Sequence, residues 1–361
     1  MQTLNLRLKP PARVIPIFVG QNLWQHFQEF LTEKFPTHQI FVISDENVFR
    51  IYAHKVEKYL GRLGRWGGVI SFPAGEESKT RQQKAQLEDR LFEKKAGRDS
   101  LIVAFGGGVT GDLAGFVAAS LHRGIPLIQV PSSILAQVDS SIGGKVGINH
   151  PSGKNLLGSF HQPEAIFSDI SLLDTLPDEE YFNGLAEVIK YAVTLDNQLF
   201  DFLLTNAGKI KNRDKTALKK IITTSIGLKI KVVEMDEQEQ SYRTILNFGH
   251  TLGHAIEKLA DFKIKHGYAI AAGMVYAARL SHQKFGYPAG KIKNLSDILN
   301  TYQLNSVNIK NFSEEELWKT TFSDKKVRQN KPHFTLLDEK ENAKLLVPVT
   351  FEEFKSALRS G

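Results

Sequence analysis

The sequence predicts an α/β nucleotide-binding domain over residues 1–176, followed by a mainly α-helical metal-binding domain over residues 177–361. Three observations predict it. Short apolar runs alternate with amphipathic stretches through the first half, the pattern of a mostly parallel sheet covered on both faces. From about Pro177 long helical periodicities take over. A glycine-rich turn, Gly106-Gly-Gly-Val-Thr-Gly111, lies in the first region, and Asn247-Phe-Gly-His-Thr-Leu-Gly-His254 lies in the second.

Taken in order, strands are expected at 14–19, 40–44, 69–72, 101–105 and 127–130, runs rich in Val, Ile and Phe, with a further one at 165–169. Helices are expected between them at 23–35, 46–63, 79–95 and 111–120. Asp174-Thr-Leu-Pro177 forms the joint, because the residue before Pro disfavours helix. Beyond it helices are expected at 179–195, 198–206, 216–233, 251–259 and 268–285, and two short strands at 334–337 and 344–347. The short joint predicts two domains facing each other across a cleft.

Composition bounds the function. A chain of 361 residues with 42% hydrophobic and 24% charged residues reads as a soluble two-domain enzyme. There is no cysteine, so disulfides are impossible and any metal must be held by His, Asp or Glu. The first residues lack an apolar h-region and no apolar run approaches a membrane span, so the cytoplasm is the expected compartment and no membrane partner is expected. Net charge is +7, but Lys and Arg are spread along the chain with only a modest excess between Lys209 and Lys231. That spread argues against a nucleic-acid partner. It fits either a solvated basic surface or attraction of a small anionic substrate.

The glycine turn follows a strand and opens a helix, where backbone N–H groups and a partial positive charge can receive a pyrophosphate. It follows the fourth strand rather than the first, and no acidic residue stands about twenty positions on, so it departs from the common dinucleotide fingerprint. Close packing of a tight turn would also explain the glycines. The next segments carry more weight: Pro131-Ser-Ser133, Asp139-Ser-Ser-Ile-Gly-Gly-Lys145 and Asn149-His-Pro-Ser-Gly-Lys154-Asn155. This span reads as loop, with backbone and ammonium groups able to gather round a phosphate or carboxylate.

His250 and His254 are four apart and share a helix face. Satisfied core histidines would have the same spacing. Gly249 and Gly253, each just before a His, weaken a helix by about 1 kcal/mol apiece relative to Ala, a choice expected where ligands or backbone approach closely. Glu187 and Lys190 are three apart and share a helix face. An arbitrary pair at that spacing is more often an exposed surface pair, but the apolar neighbours Leu185, Val188, Ile189, Ala192 and Val193 point toward a part-buried position. With His266 these residues supply a carboxylate and imidazoles, a set that suits zinc, with cobalt and iron compatible. Three protein ligands leave one position for water or substrate.

Six segments, 106–112, 139–145, 149–155 with 160–163, 185–191, 243–257 and 266–274, together resemble the 3-dehydroquinate synthase family of sugar phosphate cyclases, in the family's order and from the first strand to about Lys326. The resemblance implies a cytoplasmic homodimer that binds NAD and a divalent metal, Zn2+ with Co2+ possible. The implied reaction converts 3-deoxy-D-arabino-heptulosonate 7-phosphate to 3-dehydroquinate and phosphate. It proceeds by transient oxidation with NAD, phosphate elimination, reduction, ring opening and aldol cyclisation. Glu187, His250 and His266 resemble the metal ligands, and His254 the group that handles the hydroxyl proton. Asp139, Lys145, Asn155, Lys190, Lys229, Glu239, Arg243 and Asn247 resemble the substrate contacts. Arg123 resembles the arginine that reaches the neighbouring subunit's phosphate, and Asp324-Lys-Lys326 the late lysine motif. The NAD set implied is Asp45, Asn47, Glu76, Lys79, Gly108, Val109, Thr110, Gly111, Asp112, Ser132, Ser133, Lys145, Lys154, Leu172 and Thr175. Three departures from the family pattern are visible: Ser132-Ser133 for Thr-Thr, Ala192 for Gly, and Tyr268 for Glu in His-Gly-Glu.

Rival functions are a metal-dependent polyol dehydrogenase, another sugar-phosphate cyclase, and a non-catalytic protein on the same scaffold. A neutral polyol would not need Lys145, Lys154 and Arg123. The second rival would make an inosose or a valiolone, and residues 139–145 with Glu187 and Lys190 weigh against it. A degenerate copy would have lost part of the Glu–His–His set.

Overall fold

The computed structural model describes residues 13–322 and 331–360. Its first part alternates strand and helix: β1 (Ile17–Gly20), α1 (Trp24–Lys34), β2 (Gln39–Asp45), α2 (Glu46–Tyr59), β3 (Trp66–Phe72), α3 (Arg81–Glu93), β4 (Ser100–Gly106), α4 (Gly108–Ser120) and β5 (Leu127–Pro131). A hairpin of β6 (Lys145–His150) and β7 (Gly153–Phe160) follows, and then β8 (Ala165–Asp169). Six strands form one parallel sheet in the order β1-β8-β5-β4-β2-β3. Its apolar runs are continuous because both faces are covered. Ile40, Val42, Leu101, Val103 and Phe105 face one core, and Phe41, Ile43, Ile102 and Ala104 face the other.

Chain order reverses around β2, which is flanked by β4 and β3. Such a switch point opens a crevice at the carboxyl ends of its strands. Asp45 ends β2 and caps α2, accepting from the backbone N–H groups of Asn47 at 3.1 Å and Val48 at 3.0 Å. Gly106 ends β4, and α4 starts at Gly108, three residues earlier than the pattern predicts.

Segment 139–155 is not the loop that its composition predicts. Asp139 sits in a π-helical turn, Ala136–Ser140, where Ser141 N–H reaches back to Ala136 O. The β6–β7 pair is antiparallel, with Lys145 opposite Phe160 and Gly147 opposite Gly158. Val146 and Ile148 are buried and anchor the hairpin, while β7 is largely exposed. Polar residues on an exposed strand erased the alternation that would have marked it.

The second part is helical: α5 (Asp178–Leu195), α6 (Asn197–Thr205), α7 (Ala207–Lys211), α8 (Lys215–Met235), α9 (His250–Leu259), α10 (His266–Phe285), α11 (Ala289–Thr301) and α12 (Glu314–Thr321). A second hairpin, β9 (His333–Leu337) with β10 (Ala343–Pro348), and α13 (Phe351–Arg359) complete it. No helix among the described residues is long and apolar enough to cross a membrane. The α9–α10 crossing sets the site. Gly249 starts α9 at φ 82°, and a Cβ there would lie 2.7 Å from Met274 N. A Cβ on Gly253 would meet Ile270 Cδ1 at 2.5 Å, and one on Gly273 would meet Gly249 O at 2.0 Å. The glycines preceding the two histidines therefore serve close backbone approach of α9 to α10.

A candidate metal and nucleotide site

Three helices deliver three donors to one point. Glu187 lies on the buried face of α5, His250 opens α9 and His266 opens α10. Their ligand atoms lie within 4.8 Å of one another. Glu187 Oε1 is 3.4 Å from His250 Nε2 and 3.5 Å from His266 Nε2. Both rings are turned by acceptors behind them. His250 Nδ1 lies 3.2 Å from Phe248 O, and His266 Nδ1 lies 3.2 Å from Glu257 Oε2. A carbonyl and a carboxylate can only accept, so each Nδ1 carries hydrogen and each Nε2 faces Glu187. Both Glu187 oxygens are buried without a well-formed hydrogen bond, although Lys190 Nζ lies alongside. A buried carboxylate whose Oε1 faces two imidazole nitrogens while its Oε2 lies against Lys190 suits a divalent cation.

The electrostatics are divided. Burial, reinforced by Lys190, pushes the His250 imidazole down to about 3. Burial works against His266 too, but Glu257 raises it to about 9. Burial opposes ionisation of Glu187, yet Lys190 and His250 hold its carboxyl well below the usual carboxylate range. His254 stands just outside the trio, its ring 5.3 Å from that of His250.

A second group adjoins. Lys229 Nζ donates to Asp139 Oδ1 at 2.6 Å, and Tyr191 OH donates to the same oxygen. Burial raises the Asp139 carboxyl, but Lys229 and then Lys190 overcome it and hold the group low. Lys145 pairs with Glu239, whose other oxygen accepts from Asn247 Nδ2 at 3.0 Å. The Arg243 guanidinium donates to Gly143 O at 3.3 Å and Glu237 O at 2.5 Å. The glycine turn abuts this group, since a Cβ on Gly108 would sit 3.1 Å from Ser140 Oγ. The metal cluster and the turn thus share one region of the fold.

The residues of the implied NAD set form connected clusters. Lys79 Nζ, buried, donates to Asp112 Oδ2 at 2.6 Å, reaches Glu76 at 3.7 Å and contacts Asn155 Oδ1. Thr110 Oγ1 donates to Asp45 Oδ2 at 3.2 Å, joining the ends of β4 and β2. Ser133 Oγ accepts from Ala136 N–H at 3.3 Å, and Ser132 is buried beside it. Leu172 O and Thr175 Oγ1 both meet Tyr52 OH, at 3.2 and 2.7 Å. Lys154 Nζ donates to Glu257 Oε1 at 2.6 Å. Arg123 stands apart: it is exposed, makes no ion pair among the described residues, and belongs to a run of three left-handed residues, His122 (φ 50°), Arg123 (φ 72°) and Gly124 (φ 115°). Lys325 and Lys326 lie outside the described residues.

Sequence reasoning missed Glu257 and Tyr191. A signal existed for both. Glu257 lies seven residues after His250 and three after His254, on the same helix face, and Tyr191 follows Glu187 at i+4.

The chain matches the family models for the 3-dehydroquinate synthase N-terminal region over residues 69–183 and C-terminal region over residues 184–327. It is 46% identical to a 3-dehydroquinate synthase of Desulforamulus reducens over 270 residues, 74% of this chain and 75% of that one. A 2-deoxy-scyllo-inosose synthase solved with carbaglucose-6-phosphate, NAD+ and Co2+ superimposes with a TM-score of 0.86 at 29% identity, covering 96% of each chain. The fold is also that of 2-epi-5-epi-valiolone synthase from Streptomyces hygroscopicus, solved with NAD+ and Zn2+, with a TM-score of 0.88 at 22% identity over 98% of each chain. This chain belongs to the 3-dehydroquinate synthase family.

Proposed function

We propose that this protein is a carbon–oxygen lyase that converts 3-deoxy-D-arabino-heptulosonate 7-phosphate to 3-dehydroquinate and phosphate. The observation that carries the reading is the convergence of Glu187, His250 and His266 beside the Asp139–Lys229 pair, in reach of the glycine turn. Glu187, His250 and His266 would hold a divalent cation, zinc first and cobalt second, because imidazole and carboxylate donors suit both. NAD, when bound, would supply a transient hydride acceptor and donor, and a cation held by Glu187, His250 and His266 would supply Lewis-acid polarisation of the reacting hydroxyl.

The chain's own residues do the rest. His254, outside the ligand trio, takes and returns the hydroxyl proton. Lys145, Lys190, Lys229 and Arg243 gather positive charge that binds an anionic substrate, with Asp139, Glu239, Asn247 and Asn155 orienting it. The turn Gly108–Val109–Thr110–Gly111 receives the pyrophosphate at the start of α4, with Asp112, Ser132, Ser133, Lys145 and Lys154 around it. Asp45, Asn47, Glu76, Lys79, Leu172 and Thr175 complete the nucleotide side. We place the domain boundary at residue 176. Arg123, exposed, without an ion pair among the described residues and held at φ 72°, would serve the substrate phosphate of a neighbouring subunit in a homodimer. The cytoplasm is the proposed compartment.

One assay tests the reading. The protein is incubated with metal, the heptulosonate phosphate and sub-stoichiometric NAD, and phosphate and carbocycle are followed. Many turnovers per NAD with stoichiometric phosphate are expected. Steady build-up of NADH would instead indicate a polyol dehydrogenase, and an inosose from glucose 6-phosphate the other cyclase.

A further inference from the structure

Glu257 has no part in the chemistry above, yet its carboxylate is fully buried between two functional groups. The geometry of α9 puts it there, on the face that carries His250 and His254. Oε2 lies 3.2 Å from His266 Nδ1, and Oε1 accepts from Lys154 Nζ at 2.6 Å. Lys154 stands on β7 next to Asn155, which contacts Lys79 and accepts no freedom of its own, since its backbone N–H donates to Asn149 Oδ1 at 2.9 Å. The ammonium of Lys154 also lies 4.7 Å from the Phe262 ring centroid. One oxygen of Glu257 therefore serves the metal cluster, and the other serves the hairpin on the nucleotide side.

We infer that Glu257 is a positioning residue that fixes the His266 ring for the cation and ties it to the nucleotide hairpin through Lys154, a role that rests on the cation and NAD reading above. As an acceptor it keeps hydrogen on Nδ1 and leaves the Nε2 lone pair aimed at the cluster. Removing such a carboxylate weakens metal binding about 10–100-fold. The link through Lys154 adds coupling. A hairpin ordered by nucleotide holds Lys154, which holds Glu257 and hence His266. NAD and the cation must then tighten each other by one shared factor.

The test is cobalt titration of the whole protein by visible absorption, with and without NAD, on wild type, Glu257→Ala, Glu257→Gln and Glu187→Gln. Folding of each is checked by circular dichroism. Wild type is expected to bind one cobalt, more tightly with NAD. Glu257→Ala should bind about 10–100-fold more weakly and lose the tightening by NAD. Glu257→Gln should fall between, because its amide oxygen still accepts from His266. Cobalt affinity unchanged in Glu257→Ala overturns the inference, as does a wild type in which NAD leaves cobalt affinity unaltered. Loss in Glu257→Ala as complete as in Glu187→Gln also overturns it, making Glu257 a ligand instead. A wild type that takes up no cobalt overturns the metal reading itself.

Discussion

Adding one methyl group at Gly273 should cripple metal binding although the residue touches no ligand. Its Cβ would lie 2.0 Å from Gly249 O and 3.0 Å from Gly253 N, both backbone atoms of the helix carrying His250 and His254. Reaching ordinary contact at 3.4 Å requires α9 and α10 to part by 1.4 Å. His250 is carried by α9 and His266 by α10, so the separation passes into the cluster. Misplacement of about 1 Å can cost about 100-fold in activity. Ala in place of Gly gains about 1 kcal/mol of helix propensity, and overpacking costs about 1–3 kcal/mol. Gly273→Ala should therefore be neutral to destabilising by about 2 kcal/mol while its metal affinity falls steeply. Gly227→Ala is the control, because a Cβ there meets nothing within 4 Å on α8, and it should stabilise by about 0.5–1 kcal/mol. Denaturant unfolding and zinc competition with a chelator measure both quantities. Gly273→Ala with wild-type metal affinity would refute the claim that the glycine crossing sets the cluster.

Other outcomes follow from the same geometry. His254→Ala should slow turnover by about 10²–10⁴-fold with zinc content unchanged, read by steady-state kinetics and metal analysis; loss of zinc would make His254 a ligand. Lys229→Met removes the largest influence holding Asp139 low. A depressed carboxyl contributes stability that is present above its unfolded pKa of about 3.9 and lost as pH falls through the folded value. Wild type should therefore hold that contribution into more acid solution than Lys229→Met, measured by unfolding between pH 3 and 6, a window taken from about one unit below to two above that pKa. His266 stands at about 9 without metal, because Glu257 outweighs burial. Cation uptake near neutrality should then release about one proton from Nε2 and strengthen as pH rises toward that value. Calorimetry in buffers of different ionisation heat counts the proton, and zero release would contradict the assignment.

Much of the fold was legible, for physical reasons that differ by element. Residues 101–105 are apolar throughout because β4 is covered on both faces, and such a run has few other uses. The β6–β7 hairpin was hidden because β7 is mostly exposed and its Gly, Lys and Asn obey no period. α13 was missed although Thr350 and Glu353 form a capping box at its start, a pattern readable in sequence. At the site, His250 and His254 share a visible spacing, whereas Glu187 and His266 reach them only through the packing of α5 and α10. That convergence is a tertiary fact: donor chemistry grouped these residues beforehand, and the family resemblance singled out Glu187, His250 and His266 as the trio. Glu257 was overlooked because an acidic residue seven after a histidine on a helix commonly faces solvent. Only the chain fold shows that Lys154 and His266 close over it.

The central claim is that Glu187, His250 and His266 hold one divalent cation beside a nicotinamide. Anomalous diffraction at the zinc edge, from crystals grown with zinc and NAD, tests it most directly. The account predicts a single peak about 2.0–2.2 Å from one Glu187 oxygen and from Nε2 of both histidines, with the nicotinamide next to it. A peak elsewhere, or a nucleotide bound away from the Gly106–Gly111 turn, would contradict it.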